Sequence, residues 1–442
     1  MQRALVLVPV PPRGQRTTLQ PNDGERRPPP LHAPGDRRAE AVGLVEAIDL
    51  EVARADLVPL PRPRPSTLFG SGKVAEIKAE IDALSTGLVI IDHAVTPVQQ
   101  RNLEKAWGAK VLDRTGLILE IFGRRAATRE GRLQVELAHL TYQKSRLVRS
   151  WTHLERQRGG AGFLGGPGES QLELDRRMLQ DRIDAIKKDL AQVVRTRALH
   201  RTGRRKVPYP VVAIVGYTNA GKSTLFNRIT GAGVLAKDQV FATLDPTMRE
   251  VRFPSARRII LSDTVGFISD LPTMLVAAFR ATLEEVIDAD LILHVRDIAH
   301  SESEAQRLDV ERVLADLGID PDAAGASIVE VWNKLDLLAP DKQSELRLAA
   351  SRSERAAVPV SAVTGEGIDA LLGAIDTLLG AEDVEMTLTL PSTAGKLLHW
   401  LHENADVLDR TVGDRGDTTC RVRIAAEKKP RLEAQLKRAG LG

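Results

Sequence analysis

The chain has 442 residues, more than one hydrophobic core usually supports, so two to four domains are expected. Its 43% hydrophobic and 27% charged residues are typical of a globular protein and exclude a disordered chain. Apolar runs such as 88–91 are far shorter than the roughly 18 residues of a membrane-spanning helix. The single cysteine, Cys420, excludes an internal disulfide and a cysteine-rich metal cluster, and it predicts a cytoplasmic protein.

Residues 1–128 predict a small α/β domain. The apolar start of the chain is interpreted as a buried strand because no signal-peptide cleavage pattern follows it. A segment rich in Pro, Gly, Arg and Asp, 11–36, predicts a loop or a disordered insertion. Helical and strand-like patterns then alternate, which predicts a parallel sheet. The predicted elements are a helix over 39–55, a strand over 88–91, a helix over 98–107, a strand over 110–113 and a helix from 117.

Residues 129–205 predict two helices packed as an antiparallel hairpin. A glycine-rich loop, 159–168, joins them and carries two apolar residues, Phe163 and Leu164. It is longer than a chain reversal needs, so we interpret it as a functional tip. The apolar stripe of the first helix is Leu133, Leu137, Leu140, Leu147, Trp151 and Leu154, and that of the second is Leu179, Ile183, Ile186, Leu190 and Val193.

The same region is strongly basic. Residues 124–206 contain 20 Lys and Arg against 9 Asp and Glu. Such a local surplus indicates a polyanionic partner, and a solvated helix face is the alternative. The candidate nucleic-acid contacts beside the tip are Arg146, Arg149, Arg156, Arg158, Arg176 and Arg177.

Residues 206–382 predict a nucleotide-binding domain, with a mostly parallel sheet and helices on both faces. An apolar strand, 211–215, precedes a complete phosphate-binding loop and a helix from Thr224. Lys222 would reach the β- and γ-phosphates, and Ser223 would ligate Mg²⁺. The partial match at 70–73 lacks a preceding strand and is interpreted as a helix start. The predicted nucleotide contacts here are Gly216, Tyr217, Thr218, Asn219, Ala220, Gly221, Lys222, Ser223 and Thr224.

The string Asn333-Lys334-Leu335-Asp336, after a strand predicted over 328–332, predicts that the base is guanine. Asp336 can accept hydrogen bonds from guanine N1 and N2, and adenine cannot supply them. Asn333 and Lys334 would brace the loop and cover the base. The turn Ser361-Ala362-Val363 would bring the amide of Ala362 to guanine O6.

Two segments between the phosphate-binding loop and the guanine loop are predicted to contact the γ-phosphate. Both would be released once GTP is hydrolysed. Asp263, after a strand predicted over 257–262, would hold Mg²⁺ through a water, and the Gly266 amide would contact the γ-phosphate. Thr243 is the predicted ligand that closes over Mg²⁺, with Thr247 as the alternative. The predicted metal ligands are therefore Ser223, Thr243 and Asp263. The predicted nucleotide contacts are Phe241, Ala242, Thr243, Leu244 and Asp245 in the first segment, and Asp263, Thr264, Val265 and Gly266 in the second.

Position 267 departs from the Ras pattern. Phe267 stands where Ras-like proteins place the Gln that orients the attacking water. Phenylalanine cannot bind that water, so slow intrinsic hydrolysis is expected and no catalytic residue is assigned. Asn219 is interpreted either as a ligand of a K⁺ ion that replaces the missing stabilisation or as a side chain that braces the loop.

With these motifs the chain resembles the HflX family of translation-factor-related P-loop GTPases, in the Obg/HflX-like group. The resemblance also rests on the strings at 66–73, 113–122 and 168–177, and it covers about residues 40–380. Residues 383–442, predicted as a small α+β domain, carry little of it.

The resemblance implies a cytoplasmic, monomeric GTPase that binds GTP or GDP with Mg²⁺ and hydrolyses GTP to GDP. It also implies that the GTP state binds rRNA of the large ribosomal subunit and splits or rescues stalled or idle ribosomes. The alternative is a nucleotide-dependent regulatory switch that acts on a protein partner, partly at a membrane.

Overall fold

The structure is a computed structural model, and it divides into two compact units. The first comprises Met1–Gln192 with Lys237–Asp245 and Ser269–Arg280; the second comprises Val193–Ala236, Pro246–Ile268 and Ala281–Gly442. The structure describes residues 3–11, 32–157, 171–204, 209–232, 240–241, 244, 246–255, 257–272, 275, 280–320, 327–380, 383–391, 393–413, 417–425, 429–439 and 441. Most of the predicted insertion, the glycine-rich tip and residues 242, 243 and 245 lie outside these ranges.

The first unit contains a four-stranded, wholly parallel sheet in the order β2-β1-β3-β4. The strands are β1 (Arg3–Val10), β2 (Glu51–Pro59), β3 (Leu88–Ile91) and β4 (Lys110–Asp113). The helices between and after them are α1 (Pro34–Glu46), α2 (Ser71–Leu84), α3 (Pro97–Trp107) and α4 (Arg114–Arg125). Strands β1 and β3 are buried along almost their whole length, as expected for a parallel sheet covered on both faces.

The helix predicted over 39–55 is wrong in its second half. Helix α1 ends at Glu46, and Glu51–Pro59 forms β2, which pairs with every residue of β1. Residues 51–59 form a strand because they can make a continuous ladder of hydrogen bonds with the buried strand β1. This ladder outweighs the local helix propensity of the segment.

Two long helices follow, α5 (Arg129–Gln157) and α6 (Gln171–Arg204). An ion pair of 2.6 Å between Arg182 and Glu136, and a hydrogen bond between Lys144 and Gln180, join them. Ile183 and Ile186 are buried as the stripe on α6 predicts. On α5, Leu133, Leu137, Leu140 and Leu147 of the predicted stripe are half-buried, and the side chains of Trp151 and Leu154 lie outside the described residues. Among the side chains of α5 that the structure describes, Val135 and Ala138 are the buried ones.

The buried carboxylate of Asp113 anchors α5 to the end of β4. It accepts hydrogen bonds from the Gly116 amide at 2.8 Å, from the Tyr142 hydroxyl and from Arg146 at 2.5 Å. Burial beside Asp113 raises the pKa of Tyr142, so the hydroxyl stays a donor. Arg146 also donates to the carbonyl of Val95 at 3.1 Å and stacks on the Tyr142 ring. This binding within the protein counts against the RNA contact predicted for Arg146.

The second unit contains a six-stranded sheet in the order β10-β9-β8-β5-β7-β6, parallel except for the antiparallel edge strand β6. In its apolar core, helical residues such as Leu225 and Ile375 pack against the central strands, which confirms the predicted α/β class. The strands are β5 (Val211–Gly216), β6 (Thr247–Arg252), β7 (Arg258–Asp263), β8 (Leu291–Asp297), β9 (Ile328–Asn333) and β10 (Ala357–Pro359). The helices are α7 (Lys222–Thr230), α8 (Arg280–Ile287), α9 (Ser303–Asp316), α10 (Pro340–Ser351) and α11 (Ile368–Gly380).

The last sixty residues form an antiparallel sheet in the order β11-β13-β12 with two helices on one face. The strands are β11 (Asp383–Leu390), β12 (Asp406–Val412) and β13 (Thr418–Ala425), and the helices are α12 (Gly395–Asn404) and α13 (Lys429–Arg438). Cys420 lies in this core, where burial raises the pKa of its thiol.

The Asp113 anchor is testable. Replacing Asp113 by Asn removes the charge that Arg146 and Tyr142 bind, so the stability of α5 should fall by about 3–5 kcal/mol, the usual cost of breaking a buried pair. Hydrogen exchange of amides in 135–146 should speed up accordingly. The control Asp82→Asn removes the exposed pair with Lys78 and should change exchange little. Unchanged exchange in Asp113→Asn contradicts the anchor.

Candidate nucleotide-binding site

The predicted motifs of the second unit meet at the carboxyl edge of its sheet. Strands β5, β7, β8 and β9 run parallel and end at Gly216, Asp263, Asp297 and Asn333. Loops at this edge of a parallel sheet are where α/β proteins bind ligands.

Two glycines of the phosphate-binding loop are required by its backbone. Gly216 has φ +153°, and a Cβ there would lie 2.2 Å from the carbonyl oxygen of Val295 on the neighbouring strand. Gly221 has φ +92°, and a Cβ there would lie 2.2 Å from Nδ2 of Asn333. Because any larger residue would displace these neighbours, the loop can hold its amides close to a bound group only with glycine at both positions.

Lys222 is the first residue of α7 and is buried. Its ammonium donates to the carbonyl oxygen of Tyr217 at 2.8 Å, which folds the side chain back over the loop. Burial lowers the pKa of Lys222 to about 8, and the negative charge of Asp263 opposes this shift. The Lys222 ammonium is therefore a buried cation with too little negative charge around it. The phosphates of a bound nucleotide would supply that charge.

The predicted metal ligands Ser223 and Asp263 lie side by side. The Ser223 hydroxyl donates to Oδ2 of Asp263 at 2.7 Å, and Asp263 is fully buried at the end of β7. A hydroxyl and a carboxylate are hard oxygen ligands of the kind Mg²⁺ prefers. The residues present therefore fit the predicted ion. Thr243 is outside the described residues, and the alternative ligand Thr247 opens β6 directly opposite Asp263.

Gly266 and Phe267 close the other side of the loop. The amide of Phe267 donates to the Gly216 carbonyl at 3.1 Å, and its carbonyl accepts from the Thr218 amide at 2.7 Å. A Cβ on Gly266 would lie 2.9 Å from the Lys222 ammonium, so a side chain there would displace it. The Phe267 ring is buried and cannot orient a water. The neighbouring side chains of Thr264 and Val265 are also buried, which leaves their backbone for any nucleotide contact.

Asn333 joins the phosphate-binding loop to the predicted guanine loop. Its Nδ2 donates to the Ala220 carbonyl at 2.8 Å, and its Oδ1 accepts from the Ala362 amide at 3.0 Å. In this structure the Ala362 amide is thus bonded to Asn333, and a contact with guanine O6 would have to share or replace that bond. Val363, the next residue, is exposed.

Asp336 and Lys334 are also held by partners. The Ser361 hydroxyl donates to Oδ1 of Asp336 at 2.6 Å. Lys334 adopts φ +67° and pairs at 2.8 Å with Asp297, the last residue of β8. Asp297 is not among the predicted site residues, although its place at a parallel strand end was a usable signal.

The first predicted sensor segment, residues 241–245, is part of the first compact unit. Phe241 is buried, and its ring packs edge-on against Phe122 with 4.7 Å between the centroids. Leu244 is buried as well. Nucleotide contacts by Phe241 and Leu244 therefore stay a prediction.

Comparison with known proteins agrees with this geometry. Residues 36–123, 125–204 and 346–440 match the families described as GTP-binding GTPase N-terminal, GTP-binding GTPase Middle Region and HflX C-terminal domain. Residues 211–334 match the family described as 50S ribosome-binding GTPase.

GTPase HflX from Magnetococcus marinus is 49% identical over 402 residues, which are 91% of this chain and 91% of that protein. GTPase HflX from Escherichia coli is 43% identical over 385 residues, covering 87% and 89%. The chain belongs to the HflX family of GTPases. Like its relatives, this HflX protein binds and hydrolyses GTP.

A solved GTP-binding protein from Sulfolobus solfataricus in complex with GDP aligns with 86% of this chain and 98% of its own, at 24% identity and a TM-score of 0.44. Within the part of this HflX chain that the structure describes, no helix is both long and apolar enough to cross a membrane.

The lowered pKa of Lys222 predicts that nucleotide binding takes up protons. Bound phosphates favour the ammonium form, so the pKa of Lys222 should rise from about 8 when GDP binds. At pH 8, we expect each bound GDP to be accompanied by the uptake of about half a proton. The uptake should be larger at pH 8.5 and smaller at pH 7.5. Calorimetry in buffers of different ionisation enthalpy measures this uptake. Uptake that is zero at pH 8 contradicts the assignment.

Proposed function

We propose that this HflX protein binds the large ribosomal subunit in its GTP state and couples GTP hydrolysis to the splitting or rescue of stalled or idle ribosomes. The observation that carries the proposal is the match of residues 211–334 to a ribosome-binding GTPase family, together with the basic segment that precedes these residues in the sequence. A surface with excess positive charge is attracted to rRNA phosphates.

The described part of the hairpin supports this proposal through α6. Arg176 and Arg177 are exposed near the start of that helix. Leu174 and Met178, beside them, are exposed apolar residues, and this observation favours the alternative, a protein partner. The side chains of Arg149 and Arg156, and Arg158 itself, lie outside the described residues.

At the nucleotide, the proposal assigns a separate task to each end of the site. The ammonium of Lys222 binds the β- and γ-phosphates, and Asp336 accepts hydrogen bonds from guanine N1 and N2. Ser223 and Asp263, with Thr243, would hold Mg²⁺, which would supply positive charge to offset the negative charge of the phosphates. Phe267 supplies no hydrogen bond to water, so intrinsic hydrolysis is slow until the ribosome or an ion adds stabilisation.

Co-sedimentation tests the ribosomal partner. With a non-hydrolysable GTP analogue the protein should pellet with large ribosomal subunits, and with GDP it should pellet less. The double variant Arg176→Gln, Arg177→Gln should bind more weakly and lower the salt slope by about 2. The control Arg312→Gln, Arg352→Gln removes two exposed charges from the second unit and should keep the slope. A protein that stays in the supernatant in every nucleotide state contradicts the proposal and favours the alternative.

Asn219 offers a second test, on potassium. Its φ of +62° lies in the left-handed region, which Asn tolerates better than most residues. The backbone conformation alone can therefore explain an Asn at this position. If the amide also binds K⁺, hydrolysis should be faster in KCl than in NaCl of equal ionic strength. The variant Asn219→Gly keeps this backbone conformation and should abolish the difference while GDP binding is retained. Equal rates for the unmodified protein in the two salts refute the potassium site.

A further inference from the structure

Arg228 links the helix of the phosphate-binding loop to the loop that reads the base. It lies on α7, which begins with Lys222, and its Nε donates to the Ala362 carbonyl oxygen at 3.0 Å. A terminal nitrogen of the same guanidinium donates to the carbonyl oxygen of Val363. Because Arg228 is exposed, the core of the second unit does not depend on it.

These two bonds fix the orientation of the peptide groups in the loop. In a trans peptide the carbonyl and the following N–H point in opposite directions. With the Val363 carbonyl turned toward Arg228, the amide of Thr364 points away from it, and that amide donates to the Ser361 hydroxyl oxygen at 3.1 Å.

The Ser361 hydroxyl connects this part of the loop to Asp336 by a hydrogen bond. It accepts from the Thr364 amide and has one proton to donate, and that proton goes to Oδ1 of Asp336 at 2.6 Å. A continuous chain of contacts thus runs from the Arg228 guanidinium, through the backbone of the loop, to the carboxylate of Asp336.

We propose that Arg228 is a positioning residue for guanine recognition: it holds the 361–364 loop so that Ser361 orients Asp336 toward the edge of the base. The inference rests on the proposed role of Asp336 as the guanine acceptor. Arg228 itself touches neither the base nor the phosphates in this scheme. It joins the helix that starts at the phosphates to the loop that selects the base.

Binding of GDP and of inosine diphosphate (IDP) tests the proposal. IDP lacks the 2-amino group that Asp336 would read, so the ratio of the two Kd values reports how well Asp336 is oriented. In Arg228→Met the Kd for GDP should rise roughly tenfold, the Kd for IDP should rise less, and the ratio should move toward one. Arg228→Lys keeps the charge with fewer donors and should give an intermediate ratio. The control Arg258→Met removes an exposed pair with Glu250 and should keep the wild-type ratio.

A wild-type ratio in both Arg228 variants overturns the proposal, because a merely structural role would weaken the two nucleotides equally. The variant Asp336→Asn separates this failure from a failure of the underlying site. It should shift preference from GDP to xanthosine diphosphate. If that shift is absent, Asp336 does not read the base, and the inference about Arg228 fails with it. If the shift occurs while Arg228→Met keeps the wild-type ratio, only the inference about Arg228 is wrong.

Discussion

The side-chain amide of Asn333 is the contact on which the geometry of the nucleotide site depends. It donates to the loop that would hold the phosphates and accepts from the loop that would hold the base. Both partners are backbone groups, so the distance between the two loops is fixed by one planar group of defined length. Gly221 is part of the same constraint, because a side chain there would occupy the place of the amide. In the proposed site, this bridge would keep the two loops at the spacing that the two halves of one nucleotide need.

This bridge also relates affinity to selectivity. Phosphate binding supplies attraction that any nucleoside triphosphate could use, whereas Asp336, in its proposed role as the guanine acceptor, would reject bases without matching donors. A rigid connection between the two loops gives a guanine nucleotide both contributions at once. An adenine nucleotide that satisfied the phosphate end would leave a carboxylate unpaired at the other end.

The sequence predicted the site better than it predicted the surrounding packing. Parallel strands buried on both faces are continuous apolar runs, and each is followed here by a chemically distinctive residue, so the strand ends at Gly216, Asp263 and Asn333 could be located without a structure. Strand β2 was mistaken for helix because its apolar spacing is irregular and its pairing with β1 is non-local. The Asp113–Arg146 pair was equally invisible, since no local pattern shows which arginine of a basic helix turns toward a buried carboxylate.

The placement of the Asp113 anchor has a mechanical consequence for the hairpin. Helix α5 has 29 residues, about 44 Å at the usual rise per residue, and its clamp lies near its middle. About 16 Å of helix therefore extends from Arg146 to Gln157, beyond this clamp. Tilting its base by about 10° would sweep the far end through about 3 Å, comparable to the length of a hydrogen bond. Small rotations of α5 at the Asp113 anchor thus produce displacements at the far end of the helix that are large enough to make or break contacts there.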